Sequence, residues 1–181
     1  MKSVISRLAR LAFLALLLAS CTRDREHRIV VSIPEQQMLV LKNGTPIARY
    51  PVSTSKFGIG DHSGSCETPL GHLEIARKIG KNAPSGTVFK NRTPTGEIVL
   101  PNSPGRDPIV TRILWLKGME VQNRDAFDRY IYIHGTPEER NLGKPASYGC
   151  IRMSSADVIN LFDTVGVGAQ VDILATPLPS M

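Results

Sequence analysis

A histidine and a cysteine sixteen residues apart, each set among small and hydroxyl-bearing residues, are the part of this sequence best suited to chemistry. His134 lies in the run Tyr130-Ile131-Tyr132-Ile133-His134-Gly135-Thr136. Cys150 lies in Ser147-Tyr148-Gly149-Cys150-Ile151-Arg152-Met153. A thiol attacks as its thiolate, and its ordinary pKa is about 8.5. A neighbouring imidazole can take that proton and later return it to a leaving amine. Gly149 removes a side chain from the turn before the sulfur, which lets a substrate carbonyl approach. The backbone N–H groups of Gly149 and Cys150 are candidates to face an oxyanion. Residues 137–146 are polar enough to loop back and bring the pair together. Taken singly, each residue has a plainer reading: a lone cysteine is usually a small buried hydrophobe, and a lone histidine at a strand end is usually structural.

Strands and one helix must position this pair. Residues 129–133 (RYIYI) and 112–116 (RILWL) are β-rich, so His134 is expected at a strand end. Residues 28–33, 37–41 and 46–52 read as strands, the last two joined at Asn43-Gly44, the strongest short hairpin signal. Residues 54–70 are rich in Ser, Gly, Asp and Pro and read as a loop. Residues 71–78 alternate Leu73 and Ile75, which favours a strand. Residues 79–110 are punctuated by Gly and Pro and predict long loops with short strands such as 97–100; residues 123–127 predict a turn. One helix is clear. Ser154 and Ser155 offer capping hydroxyls, Asp157 suits the positive end, and Val158, Leu161 and Phe162 have helical spacing. Gly166 or Gly168 closes it, and residues 170–174 form a last strand. The expected class is mainly β with one or two short helices.

Bulk properties and the first residues bound the rest. With 181 residues, 41% hydrophobic and 21% charged, the chain has the make-up of one globular domain. Lys2, Arg7 and Arg10 precede an apolar run at residues 11–19, too short to span a bilayer, which needs about 20 residues. A charged start, a short apolar run and small residues describe a secretory signal. Leu18-Ala19-Ser20-Cys21 resembles the lipobox of bacterial lipoproteins, which implies cleavage before Cys21 and its lipidation. Thr22, where inner-membrane retention would favour Asp, implies the outer membrane. Several acyl chains anchor firmly where one binds marginally. Loss of the three basic residues lowers the formal charge from +6 to +3. That mild excess suits an anionic polymer, and without a basic run interleaved with aromatics no nucleic-acid partner is expected. The divisions expected are a signal peptide at 1–20, a lipidated tether at 21–27, a domain at 28–175 and a tail at 176–181.

The two motifs together resemble the L,D-transpeptidase catalytic domain, the YkuD or ErfK family. Its members pair His-Gly with Ser-His-Gly-Cys, then a hydrophobic residue and Arg or Asn. Glu67-Thr68-Pro69-Leu70-Gly71 resembles the family's Thr-Pro-x-Gly segment. The resemblance spans about residues 28–174. It implies an L,D-transpeptidase-like β-sandwich with a catalytic cysteine loop, and neither metal nor organic cofactor; His27, His62, His72 and His134 also lack ligand-like spacing. It implies Cys150 as nucleophile, His134 as base, and the Gly135 carbonyl as orienting group. Thr136, Ser147, Tyr148 and Gly149 would shape the site. Arg152 would hold the loop or a substrate carboxylate, against a plain structural ion pair. Tyr148 departs from the family histidine and implies an altered pocket rim. The reaction implied is acyl transfer on peptidoglycan stem peptides, with release of the terminal D-alanine and a thioester resolved by an amine. That amine would come from a second stem or a lysine-bearing lipoprotein. Hydrolysis on the same scaffold and a non-catalytic wall-binding lipoprotein are the alternatives. Cys66, just before the Thr-Pro segment, raises a Cys66–Cys150 disulfide as a redox switch; an unpaired thiol is the plainer expectation.

Overall fold

In the computed structural model, which describes residues 23–180, every strand belongs to one mixed sheet. Cys21 and the signal segment at 1–20 lie outside the described residues. β1 (His27–Ser32) turns Ile29 and Val31 into the main core, while Val30 faces a small second cluster with Leu39 and Leu178. Burial on both faces explains its unbroken apolar run. β2 (Gln37–Lys42) and β3 (Thr45–Pro51) form the hairpin read from Asn43-Gly44, whose φ values of 50° and 80° are those a tight primed turn needs.

Longer-range pairings then build the centre. β4 (Gly71–Ile79) and β7 (Ile109–Gly118) make an antiparallel ladder. β10 (Gln170–Leu174) inserts between β1 and β4, parallel to the first and antiparallel to the second. β5 (Thr87–Lys90) and β6 (Thr93–Ile98) form a hairpin beside the start of β7. On the other edge of β7 lies β8 (Tyr132–Gly135), and β9 (Ile151–Met153) runs parallel to β8. The helix α1 (Ser155–Thr164) follows at once and drives Val158, Leu161 and Phe162 into the core against Ile133, Ile151 and Met153. The core is thus enclosed by the sheet on one side and by β8, β9 and α1 on the other.

Four expectations shift. The strand read at 129–133 begins only at Tyr132, because Tyr130 takes φ +59° and Arg129 is drawn down to Asp61. The short strand read at 97–100 is β6, shifted back to Thr93–Ile98. Its turn is Asn91-Arg92, at φ 51° and 67°, a left-handed pair that glycine normally fills, so the sequence concealed it. The tether read at 21–27 is docked from Asp24 on. Asp24 donates its N–H to the Val167 carbonyl at 2.8 Å, its carboxylate accepts from Gly166 N at 2.5 Å, and His27 already opens β1. The tail is docked as well: Leu178 is buried, and its N–H reaches Glu35 Oε2 at 2.6 Å.

The helix start can be tested directly. Ser154 Oγ accepts from Asp157 N at 3.0 Å, the cap read from the sequence. Ser154→Ala is expected to lower the unfolding free energy by about 1 kcal/mol, seen as a lower urea midpoint at unchanged slope.

Candidate active site

The pairing of β8 with β9 decides where the chemistry sits. Along β8 the side chains alternate: Ile133 enters the main core, while Tyr132 and His134 face the other way. Along β9 Ile151 and Met153 enter the core, which leaves Cys150 and Arg152 on the face of Tyr132 and His134. The register sets His134 opposite Arg152 and Ile133 opposite Ile151, so Cys150 extends the row one step before. His134 is also paired with Ile113 of β7, whose side chain joins Phe89, Trp115 and Tyr132 in a cluster against which Cys150 packs. The thiol and the imidazole are therefore diagonal neighbours on one face.

Polar contacts fix each of them. His134 is 5% exposed and its Nδ1 lies 2.8 Å from the Gly135 carbonyl. A carbonyl only accepts, so Nδ1 carries the proton and Nε2 keeps its lone pair. Burial lowers the His134 pKa to about 4; the Gly135 carbonyl and Asp107 oppose this, and Arg152 adds to it. Cys150 is half-buried and donates to the Tyr130 carbonyl at 3.4 Å. Burial pushes its pKa up to about 11, against the Tyr132 amide and the cations Arg152 and Arg129. At neutral pH the resting pair is thus neutral thiol and neutral imidazole.

The loop around the sulfur is held from three sides. Ser147 Oγ donates to the Cys150 carbonyl at 2.5 Å and accepts from Gly149 N at 3.2 Å. Gly149 N–H is committed in this way, which removes it from the oxyanion donors read from the sequence. Gly149 has φ +114°, and a Cβ there would meet Glu67 O at 3.1 Å. Thr68, from the Thr-Pro-x-Gly segment, donates from Oγ1 to the Gly149 carbonyl at 3.0 Å and accepts from Ser55 N. Ser53 pairs with Arg152 through two backbone bonds of 3.0 and 2.9 Å.

Arg152 proves to be a loop holder. It is 8% exposed, ion-paired to Asp107 at 2.5 Å, and donates to the Ala146 carbonyl at 3.1 Å. Asp107 also accepts from Thr136 Oγ1 at 2.6 Å, and Thr136 N–H bonds the Met153 carbonyl. Tyr148 is 59% exposed on the rim, its ring tilted against Phe57 and its hydroxyl 3.0 Å from Lys56 Nζ. Cys66 is exposed and, like Cys150, a free thiol.

The sequence reading missed Arg129 and Asp61. Both are buried and paired at 2.6 Å, and Arg129 also donates to the carbonyls of Gly60, Ser65 and Glu67. This clamps the loop that carries Thr68 to the turn that carries Tyr130. Nothing in the spacing of an isolated Asp and Arg so far apart in sequence signals such a pair.

The site's protonation makes two measurable statements. His134 binds its proton near pH 4 folded and near 6.5 unfolded, so the unfolded chain takes up the extra proton between these values. Stability from neutral His134 is complete above 6.5 and falls as pH drops towards 4, by up to about 3 kcal/mol. Urea midpoints for wild type and His134→Gln should diverge at pH 7 and converge at low pH. Alkylation of Cys150 by iodoacetamide should be slow at pH 7 and still be rising above pH 9; a plateau by pH 8 would reveal a standing thiolate.

Comparison with known proteins gives the family and the fold. Residues 26–173 match the YkuD family, the L,D-transpeptidase catalytic domain. The L,D-transpeptidase homologue YqjB of Bacillus subtilis is 42% identical over 57 residues, 32% of this chain and 31% of YqjB. A Fuscovulum blasticum relative, encoded in the ATP synthase subunits region, is 32% identical over 108 residues, 59% of this chain and 51% of its own. ErfK/SrfK of Escherichia coli is 42% identical over 50 residues, 28% of this chain and 16% of its own. The matches thus span about half or less of those relatives. Among solved structures, the L,D-transpeptidase LdtMt1 in complex with imipenem superposes with TM-score 0.52 at 21% identity, over 82% of this chain and 59% of that one. An L,D-transpeptidase from Mycobacterium smegmatis gives 0.53 at 21%, over 83% and 59%. The fold is therefore shared with these enzymes, and the chain belongs to the YkuD family of L,D-transpeptidase catalytic domains.

Proposed function

We propose that this protein is a peptidoglycan L,D-transpeptidase with Cys150 as nucleophile and His134 as base. The observation that carries the reading is the orientation of one ring: His134 spends Nδ1–H on the Gly135 carbonyl and leaves Nε2 for the thiol on the same face. In the first half-reaction Nε2 takes the Cys150 proton, and sulfur attacks the carbonyl at the L-centre of the third stem residue. The imidazolium then protonates the departing D-alanine amine, which leaves a thioester. In the second half an amine attacks the thioester, gives its proton to His134, and the thiol is released.

Tyr148 stands on the rim and has no part in proton transfer. Its exposure and its Lys56 contact support a role in admitting the acceptor. The acceptor is the amine of a second stem or of a lysine-bearing lipoprotein; with water the same thioester would hydrolyse. Leu18-Ala19-Ser20-Cys21 supports export, lipidation at Cys21 and an outer-membrane position facing the wall.

Purified muropeptides with tetrapeptide stems, incubated with the protein and read by mass, test the reaction. Wild type should release D-alanine and form crosslinks, and Cys150→Ala should fall by at least about a thousandfold. Imipenem should add its mass to wild type and not to the variant. Undiminished turnover by Cys150→Ala would sink the assignment, and free tripeptides without crosslinks would replace the amine acceptor by water.

A further inference from the structure

The hairpin of β5 and β6 places a cation on the aromatic residues next to Cys150, and the reaction described above does not use it. Arg92, at its turn, lies over the rings of Trp115 and Tyr130, with its guanidinium carbon 5.1 and 4.8 Å from their centroids. Its Nη1 also donates to the Tyr132 hydroxyl at 3.4 Å. Its charge is countered only by these aromatic groups: among the described residues no carboxylate pairs with it. By contrast, Arg129, Arg152 and Arg106 each have an acid in contact.

The surroundings make this an opening rather than a plain surface. Arg92 lines a cavity of about 280 Å³ together with Phe89, Ile109, Tyr130 and Tyr132. Phe89 and Tyr132 belong to the cluster against which Cys150 packs, and the Tyr130 carbonyl accepts from the thiol. The cavity and the thiol therefore share Tyr130 as a neighbour, with Phe89 and Tyr132 behind both. The cavity's walls are aromatic and its one full charge is positive. An aromatic stack holds a guanidinium in a fixed plane while leaving its N–H edge free, the geometry that receives a carboxylate in two parallel bonds. Both turn residues sit in the left-handed region, where glycine would be relaxed, and the arginine at the second of them is set over the cavity by that conformation.

We propose that Arg92 is a specificity-determining residue whose guanidinium binds a carboxylate of the donor stem peptide in the cavity beside Cys150. The inference rests on the transpeptidase reading and names its donor more narrowly. Two carboxylates lie near the scissile carbonyl of a tetrapeptide stem. One is the terminal carboxylate of the departing D-alanine. The other is the side-chain carboxylate of a diaminopimelate at the third position. Both present the same chemistry to the guanidinium.

Binding can be read without turnover, because Trp115 is the sole tryptophan and lies under Arg92. Its fluorescence in the Cys150→Ala protein is titrated with four tetrapeptides: both carboxylates free, the terminal one amidated, the side-chain one amidated, and both amidated. With Arg92 present, amidating one of the two should raise Kd at least about tenfold, as expected for loss of a charge-assisted pair. The position that gives the penalty identifies the source. Adding Arg92→Gln should abolish that difference and leave Kd for the doubly amidated peptide unchanged, while Arg92→Lys should retain part of it. Equal Kd for all four peptides, or an Arg92→Gln effect of the same size on all four, would overturn the assignment. Discrimination in binding with no D-alanine release by the wild-type protein would leave the subsite standing and remove the transpeptidase reading instead.

Discussion

Parallel pairing of two short strands is the constraint on which the site depends. β8 has four residues and β9 three, yet their register sets which side chains enter the core and which line the face of His134 and Cys150. A slip of one residue would send His134 or Cys150 into the apolar interior and bring an isoleucine out. Two features guard against that slip. Ile133, Ile151 and Met153 are fully buried against α1 and the central strands, so any other register would bury polar groups instead. Ser53, from a separate segment, bonds both backbone groups of Arg152 and locks the outer edge of β9.

Around this pairing, the catalytic loop is stiffened almost entirely by buried polar contacts. Ser147, Thr68, Arg129 and Asp107 each satisfy groups that the irregular loop leaves without a ladder. Such groups would be expensive to bury unpaired. The same network determines the charge state at the centre. Arg152 and Asp107 are ion-paired beside His134, so their opposing effects on the imidazole largely offset each other, and burial is left to dominate. Burial is thus the largest influence on both the imidazole and the thiol.

Much of this was legible in the chain itself. Asn43-Gly44 announced its hairpin, Ser154 its cap, and the alternation of Leu73 and Ile75 the faces of β4, because these signals are local. The His-Gly and Ser-x-Gly-Cys segments carried the site because small residues are required where two backbone segments approach closely, as Gly149 does against the Glu67 carbonyl. What escaped was set by tertiary contact. Arg129 and Tyr130 have β-forming neighbours, but a buried ion pair and a left-handed turn override that propensity. Asn91-Arg92 closes a hairpin with a residue that sequence rules do not place there. Arg152 left two roles open until its burial beside Asp107 decided for the structural one.

The insertion of β10 between β1 and β4 has a consequence for how the molecule comes into being. The opening and closing strands of the domain lie side by side at the middle of the sheet. A partial chain emerging from its N-terminal end can form the first hairpin, but it has a gap where β10 belongs and cannot seal its interior. Completion waits for contacts between residues nearly the whole length of the chain apart, which slows folding. Until then the interior stays open along the place that β10 fills, and the sheet closes only once the last strand has arrived.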